Sequence, residues 1–342
     1  MKNPPSIGVI LKGWAGRMRL PLAAVCWGAL AAACFGQAQE ASPPKGSPGE
    51  WVTSRWKVGM VVTADGGGFH GIVGTTTVPM DWPEQRVRPT EEDLSPGVTI
   101  SYQVIEGVAR QMLVKIPSLS AGKQAKAIVT FEIKRLLQEP PGDTDAFLLP
   151  AAKRSDRKLA NFLLPSPYIE SSAPEIVATA RKVGADKEKA WDKVEAIYDW
   201  VRAKVKFEDN RGGQVKGVLA TLRDGTGDCD EMTSLFIALC RANSIPARTV
   251  RIPGHVYPEF YLLGKDGKGH WFPCQAAGTR AFGGMPDPRP ILQKGDNVRV
   301  AEAGGKRKKT TTVRFLPDTL VGPPGAGGGK PRLQLVCERV DE

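Results

Sequence analysis

Two residues in this chain are of a kind, and in a setting, that could do covalent chemistry. Cys229 stands in Asp224-Gly-Thr-Gly-Asp-Cys-Asp230, where a glycine-rich turn meets a periodic apolar run, and His255 follows 26 residues later. A thiol attacks as the thiolate, and a helix N-terminus lowers a free-cysteine pKa of about 8.5 to about 3.5–7.5. Cysteine with an imidazole to move its proton is the minimum set for acyl transfer through a covalent intermediate. Only His70, His255 and His270 could supply that imidazole. His70 follows three glycines and reads as a loop residue, and His270 follows Gly-Lys-Asp-Gly-Lys-Gly and reads as an exposed turn residue. Asp228 and Asp230 suit helix capping better than proton transfer. Glu259 falls four residues past His255, on the same strand face. Gln214, upstream of the cysteine, is a candidate donor to an oxyanion.

The elements that must position these groups are readable from periodicity. Met232, Leu235, Phe236, Leu239 and Cys240 recur at helical spacing after Cys229, so the cysteine opens a helix with a buried stripe. A longer helix is expected over 187–205, from Trp191, Val194, Ile197, Tyr198, Val201 and Val205. Ser172-Ala-Pro-Glu175 has the capping-box pattern and predicts a helix start near Pro174. Strands are expected at 247–252, 259–263, 270–275, 297–300, 311–316 and 333–340. Helices followed by strands make this part α+β. Residues 51–150 differ: short alternating runs at 56–63, 71–79, 98–104, 111–116 and 126–136, with no helical period, suit an antiparallel β-sandwich.

At 342 residues there is room for two cores. Residues 1–38 read as an export signal: Lys2, Lys12, Arg17 and Arg19 precede an apolar run from Leu20 to Gly36, and Gly36-Gln-Ala38 suits a signal peptidase. Acylation of Cys34 or an uncleaved anchor are alternatives. A polar Pro/Gly/Ser linker occupies 39–50. Taking the four signal charges from +11 leaves +7, part of it the run Lys306-Arg-Lys-Lys309. That run reads as a solvated hairpin tip; an anionic envelope polymer is a partner it would tolerate, and without interleaved aromatics it does not suit nucleic acid. Gly325-Ala-Gly-Gly-Gly-Lys330 reads as a flexible loop. Membrane association is expected only through the N-terminal segment.

Four cysteines follow residue 38: Cys229, Cys240, Cys274 and Cys337. Eleven residues along one helix separate Cys229 from Cys240 by roughly 16 Å, beyond the ~7 Å Cα span of a disulfide. Either could still pair with Cys274 or Cys337. No C-x-x-C spacing suggests structural zinc, and no dense acidic loop suggests calcium, so neither metal nor cofactor is expected.

Three stretches together resemble the core of the transglutaminase-like superfamily. These are Gly-Thr-Gly-Asp-Cys229-Asp, then Leu-Phe-Ile-Ala-Leu-Cys-Arg-Ala-Asn-Ser-Ile-Pro-Ala-Arg248, then His255-Val-Tyr-Pro-Glu259-Phe-Tyr. The helix ending Ile-Tyr-Asp-Trp-Val-Arg, followed by Val-Lys-Phe, also fits, and the likeness covers about residues 170–280. The resemblance implies a papain-like core over 165–342, preceded by an all-β sandwich-like domain at 51–150, in an exported bacterial-type protein. It implies Cys229 as nucleophile and His255 as base. Where the superfamily carries an aspartate, Trp271-Phe-Pro-Cys-Gln275 places glutamine. An amide oxygen can orient an imidazole, though it stabilises the imidazolium less than a carboxylate does. Gln275 therefore either completes a working set or marks a site that has lost its chemistry. The function implied is a secreted or periplasmic acyl-transfer enzyme acting on protein or peptide. The alternative is an inactive envelope protein that binds peptide or cell-wall material.

Overall fold

The computed structural model describes residues 49–150, 157–210, 214–301, 310–323 and 329–340. The export signal, nearly all of the 39–50 linker, the 306–309 run and most of the 325–330 loop lie outside the described residues.

Six antiparallel strands come first: β1 (Trp51–Thr63), β2 (Phe69–Val78), β3 (Gln85–Leu94), β4 (Thr99–Ile105), β5 (Ala109–Leu119) and β6 (Gln124–Leu136). Alternation along β1, β2, β5 and β6 sends Trp56, Val58, Met60, Ile72, Met112, Val114, Val129 and Phe131 into one shared core. His70 lies within β2, exposed, and not in a loop. No apolar period announces β3, because it is an edge strand. It carries Arg86, Arg88, Glu91, Glu92 and Asp93, and its register slips at Pro89. Charges and a bulged proline are devices that keep an edge from pairing further.

The helices follow: α1 (Pro174–Lys182), α2 (Ala190–Lys204), α3 (Val218–Asp224) and α4 (Cys229–Ala242). The capping box expected at α1 is not made. Its N-cap is Ala173 with no side-chain bond, and Pro174 at the first turn needs no N–H partner. α4 is more enclosed than a one-sided stripe. Ile237 and Ala238 are as buried as Leu235 and Leu239, because the other helices and the sheet surround it. Cys240 is a core residue, as expected.

The sheet beneath α4 is built from β7 (Ala247–Ile252), β8 (His255–Gly264), β9 (Gly269–Pro273) and β10 (Gln293–Lys294). β11 (Thr319–Val321) and β12 (Arg332–Val340) complete the set used below. A nine-stranded sheet runs β9-β8-β7-β10-β5-β2-β11, with β4 branching off at β5 and the two-residue strand Phe147–Leu148 at β8, so β10 joins the helix-covered strands to β5 and β2. β12 instead pairs with β1, giving a four-stranded sheet ordered β12-β1-β6-β3. Buried ions reinforce the junction. Glu259 accepts from Arg248 (2.7 Å) and Lys294 (2.6 Å), and Lys294 also pairs with Glu84. Glu259 thus supports the sheet, and the two cations hold its carboxyl below the usual range against the opposing effect of burial. His270 is buried, not exposed: it is the second residue of β9, packed near the rings of Phe147 and Phe272.

Candidate active site

Cys229 is the first residue of α4, and the turn before it is fixed by a completed capping box. Asp228 accepts from the Asp230 N–H (2.7 Å), and Glu231 reaches back to the Asp228 N–H (2.9 Å). Gly227 must be glycine, since a Cβ there would meet the Glu231 Cβ at 2.4 Å. These bonds fix where the sulfur stands.

His255 opens β8 directly after the Pro253-Gly254 turn, with Ile252 as its cross-strand partner. Gly254 takes φ +68°, which its lack of a Cβ permits. Val256, the next residue, ties strand to helix. Its N–H faces the Cys229 sulfur, and its carbonyl accepts from Thr233 Oγ1 at 3.2 Å, one turn along α4. The backbone of Val256 thus links the strand that begins with His255 to the helix that begins with Cys229.

Gln275 lies just past β9, and its Oε1 is 3.0 Å from His255 Nε2. An amide oxygen only accepts, so Nε2 carries the proton and Nδ1 keeps its lone pair. The Gln275 backbone is itself pinned: its carbonyl accepts from Tyr198 Oη (2.8 Å) and Arg202 Nη1 (3.1 Å), both on α2. The structure thus puts Gln275 against His255, and Cys229 against the backbone of the residue that follows His255. Gln214 is exposed on its loop, its carbonyl accepting from Asn210.

The electrostatics correct one expectation. Burial pushes the Cys229 thiol up to about 11, opposed by the Val256 N–H and helped upward by Asp230 and Asp228. The helix start does not outweigh desolvation and two nearby carboxylates. His255 moves down from 6.5, again mainly by burial, with the Gln275 bond acting against it. Both shifts disfavour the charged forms of the pair. Asp228, partly desolvated beside Glu231, is raised to about 6.

Three further side chains surround the site without a local sequence signal. Arg314 Nη1 lies 2.8 Å from Asp230 Oδ1. Neither atom meets hydrogen-bond geometry, so the contact is charge pairing. Arg289 is clamped to Asp287 (Nη2–Oδ2 2.6 Å) and donates to the Pro253 carbonyl (2.7 Å), bracing the turn that carries His255. Asp287 and Arg289 act on the imidazole with opposite sign. Ligand atoms of Asp228, Cys229 and Asp230 fall within 4.8 Å of one another. Asp228 is engaged by the helix N–H groups and Asp230 by Arg314, so the cluster is not an open set of metal donors.

No curated protein matches the chain. The crystal structure of a candidate cysteine protease from Cytophaga hutchinsonii is similar, with 18% identity and a TM-score of 0.54 over 86% of this chain and 94% of that one. The periplasmic domain of TgpA from Pseudomonas aeruginosa is more distant, with 11% identity and a TM-score of 0.32 over 64% of this chain and 89% of that one. The segment holding Cys229, His255 and Gln275, residues 177–276, matches the model of the transglutaminase-like superfamily.

Proposed function

We propose that this protein is an exported thiol enzyme that transfers acyl groups from peptide or carboxamide bonds through a thioester on Cys229. The observation that carries this is the 3.0 Å contact of His255 Nε2 with Gln275 Oε1. It leaves Nδ1 free as a base on the strand whose next N–H faces the sulfur. As the sulfur attacks the carbonyl, its proton passes to Nδ1, and the same proton then goes to the leaving amine. Since burial disfavours both charged forms, we assign the proton transfer to the attack step rather than to a preceding one. The Cys229 N–H, which the capping box leaves unused at the start of α4, is the donor we assign to the oxyanion. Water as acceptor makes a protease or amidase, an amine makes a transamidase. Export is supported by the signal-like residues 1–38. Among the described residues no helix is long and apolar enough to cross a membrane.

The resting neutral thiol, raised to about 11, also favours a second reading: a peptide-binding protein without chemistry. p-Nitrophenyl acetate separates the two, with exposed Cys337 as internal reference. For an enzyme, mass spectrometry finds Cys229 acetylated well ahead of Cys337, and His255→Ala removes the lead. The rate is flat above the ordinary histidine pKa and falls at more acidic pH, since His255 must be neutral to accept the proton and its pKa is lowered. Acetylation of Cys229 no faster than Cys337 would sink the enzyme reading.

A further inference from the structure

Tyr168 has φ +68°, a left-handed backbone that bulky side chains rarely adopt. It occupies the second position of the two-residue turn Pro167-Tyr168, where glycine would be the unstrained choice. Ser166 and Ile169 close that turn by exchanging backbone hydrogen bonds of 2.9 and 3.2 Å. The turn is anchored deep. Ser166 Oγ donates to Asp296 Oδ1 (2.7 Å) and accepts from Arg241 Nη1 (3.0 Å), and those two form a fully buried ion pair. The Tyr168 carbonyl accepts from the Val218 N–H at 3.2 Å. The fold holds this residue firmly, yet the ring stays 47% exposed and adds nothing to the core. Strain that yields no packing is a mark of function.

The side chain lines a cleft of about 410 Å³, with Val215, Val313 and Phe315 among the other walls and Asp230 and Arg314 at its charged end. An Asp230 carboxylate oxygen lies within 4.8 Å of the Cys229 sulfur, so one residue both lines the cleft and neighbours the nucleophile. Its two charges are paired to each other at 2.8 Å, which leaves no net charge for an ionic group to meet. The volume suits one or two side chains of a bound peptide, at the lower end of small-ligand sites.

We infer that this cleft receives an apolar side chain of an extended peptide acyl donor, and that Tyr168 sets the preference. The inference rests on the acyl-transfer reading above, and its test keeps the two apart. Two peptidyl vinyl sulfones, identical except for leucine or aspartate at the residue bearing the electrophile, are reacted with the full chain. Iodoacetamide, too small to use the cleft, serves as control. Burial of a leucine against the ring and its neighbours predicts that the leucine probe labels Cys229 at least about tenfold faster than the aspartate probe.

Tyr168→Asn reduces that preference several-fold and leaves the iodoacetamide rate unchanged. Its Tm is no lower than that of the parent, because asparagine adopts the left-handed region more readily. Tyr168→Phe retains the preference. An unchanged probe ratio in Tyr168→Asn overturns the inference, and so does a lowered Tm, which would make the ring a structural part. If iodoacetamide itself labels Cys229 no faster than Cys337, the acyl-transfer reading fails and takes this inference with it.

Discussion

Replacing Gln275 tests whether the amide behind the imidazole matters, and its size can be worked from one contact. Oε1 accepts from His255 Nε2 at 3.0 Å in a half-buried setting. Between neutral groups such a bond contributes about 1 kcal/mol net, and once the donor is an imidazolium about 2–3 kcal/mol. Gln275→Ala removes both, so the state in which the proton has moved loses about 1–2 kcal/mol more than the resting state. The expected slowing is about 5–30-fold. Collapse around the truncation is limited, because the 275 carbonyl stays bound by Tyr198 and Arg202. Gln275→Asp acts the other way: a carboxylate stabilises the imidazolium, and the half-maximum of the rate shifts to higher pH with the His255 pKa. The assay is iodoacetamide alkylation of Cys229 followed against pH by mass spectrometry. Equal rates for Gln275→Ala and the parent, in a protein whose Tm is unchanged, would refute the assignment of Gln275 as the orienting group.

Two further outcomes concern the scaffold. Asp228→Asn keeps an oxygen for the Asp230 N–H but removes an ionisable group whose folded pKa, about 6, exceeds the ordinary 3.8. A raised folded pKa gives stability that is full below the unfolded value and lost as pH rises through the folded one. The parent should therefore lose stability relative to Asp228→Asn between about pH 4 and 6, measured by urea unfolding at a series of pH values; parallel curves would contradict it. Lys294→Met strands Glu84, which loses its buried partner, and should cost about 3 kcal/mol. Adding Glu84→Leu should recover most of that loss, and strictly additive losses would show that the pair is not coupled.

The site was legible where its signals were local. A glycine-rich turn before an apolar helical period pointed to Cys229, while His255 and Gln275 were singled out by the resemblance to the transglutaminase-like superfamily. What stayed hidden depends on residues far apart in sequence. Arg314 neutralises Asp230 across 84 positions, and the Asp287–Arg289 pair braces the His255 turn from a proline-rich loop with no period of its own. The thiol was misjudged for a related reason. A helix N-terminus can be read from sequence, but the depth at which the fold buries it cannot, and burial prevailed. β3 escaped notice because an edge strand protected by charge has the composition of a loop.

The pairing of β12 with β1 has a consequence for how the chain reaches its folded state. β1 is an inner strand, with β6 on one side and β12 on the other, and its register with β12 joins Arg55 to Val340. Contacts closed over so many residues slow folding, because the loop must be ordered before the pairing can reward it. Until the strand encoded past residue 331 has emerged, β1 presents an open hydrogen-bonding edge. The sequence holding Cys229 is then already synthesised, but the four-stranded sheet that β1 shares with β6 and β3 still lacks its outer strand. Closure of this sheet therefore waits on β12, long after the segment that holds Cys229 has been made.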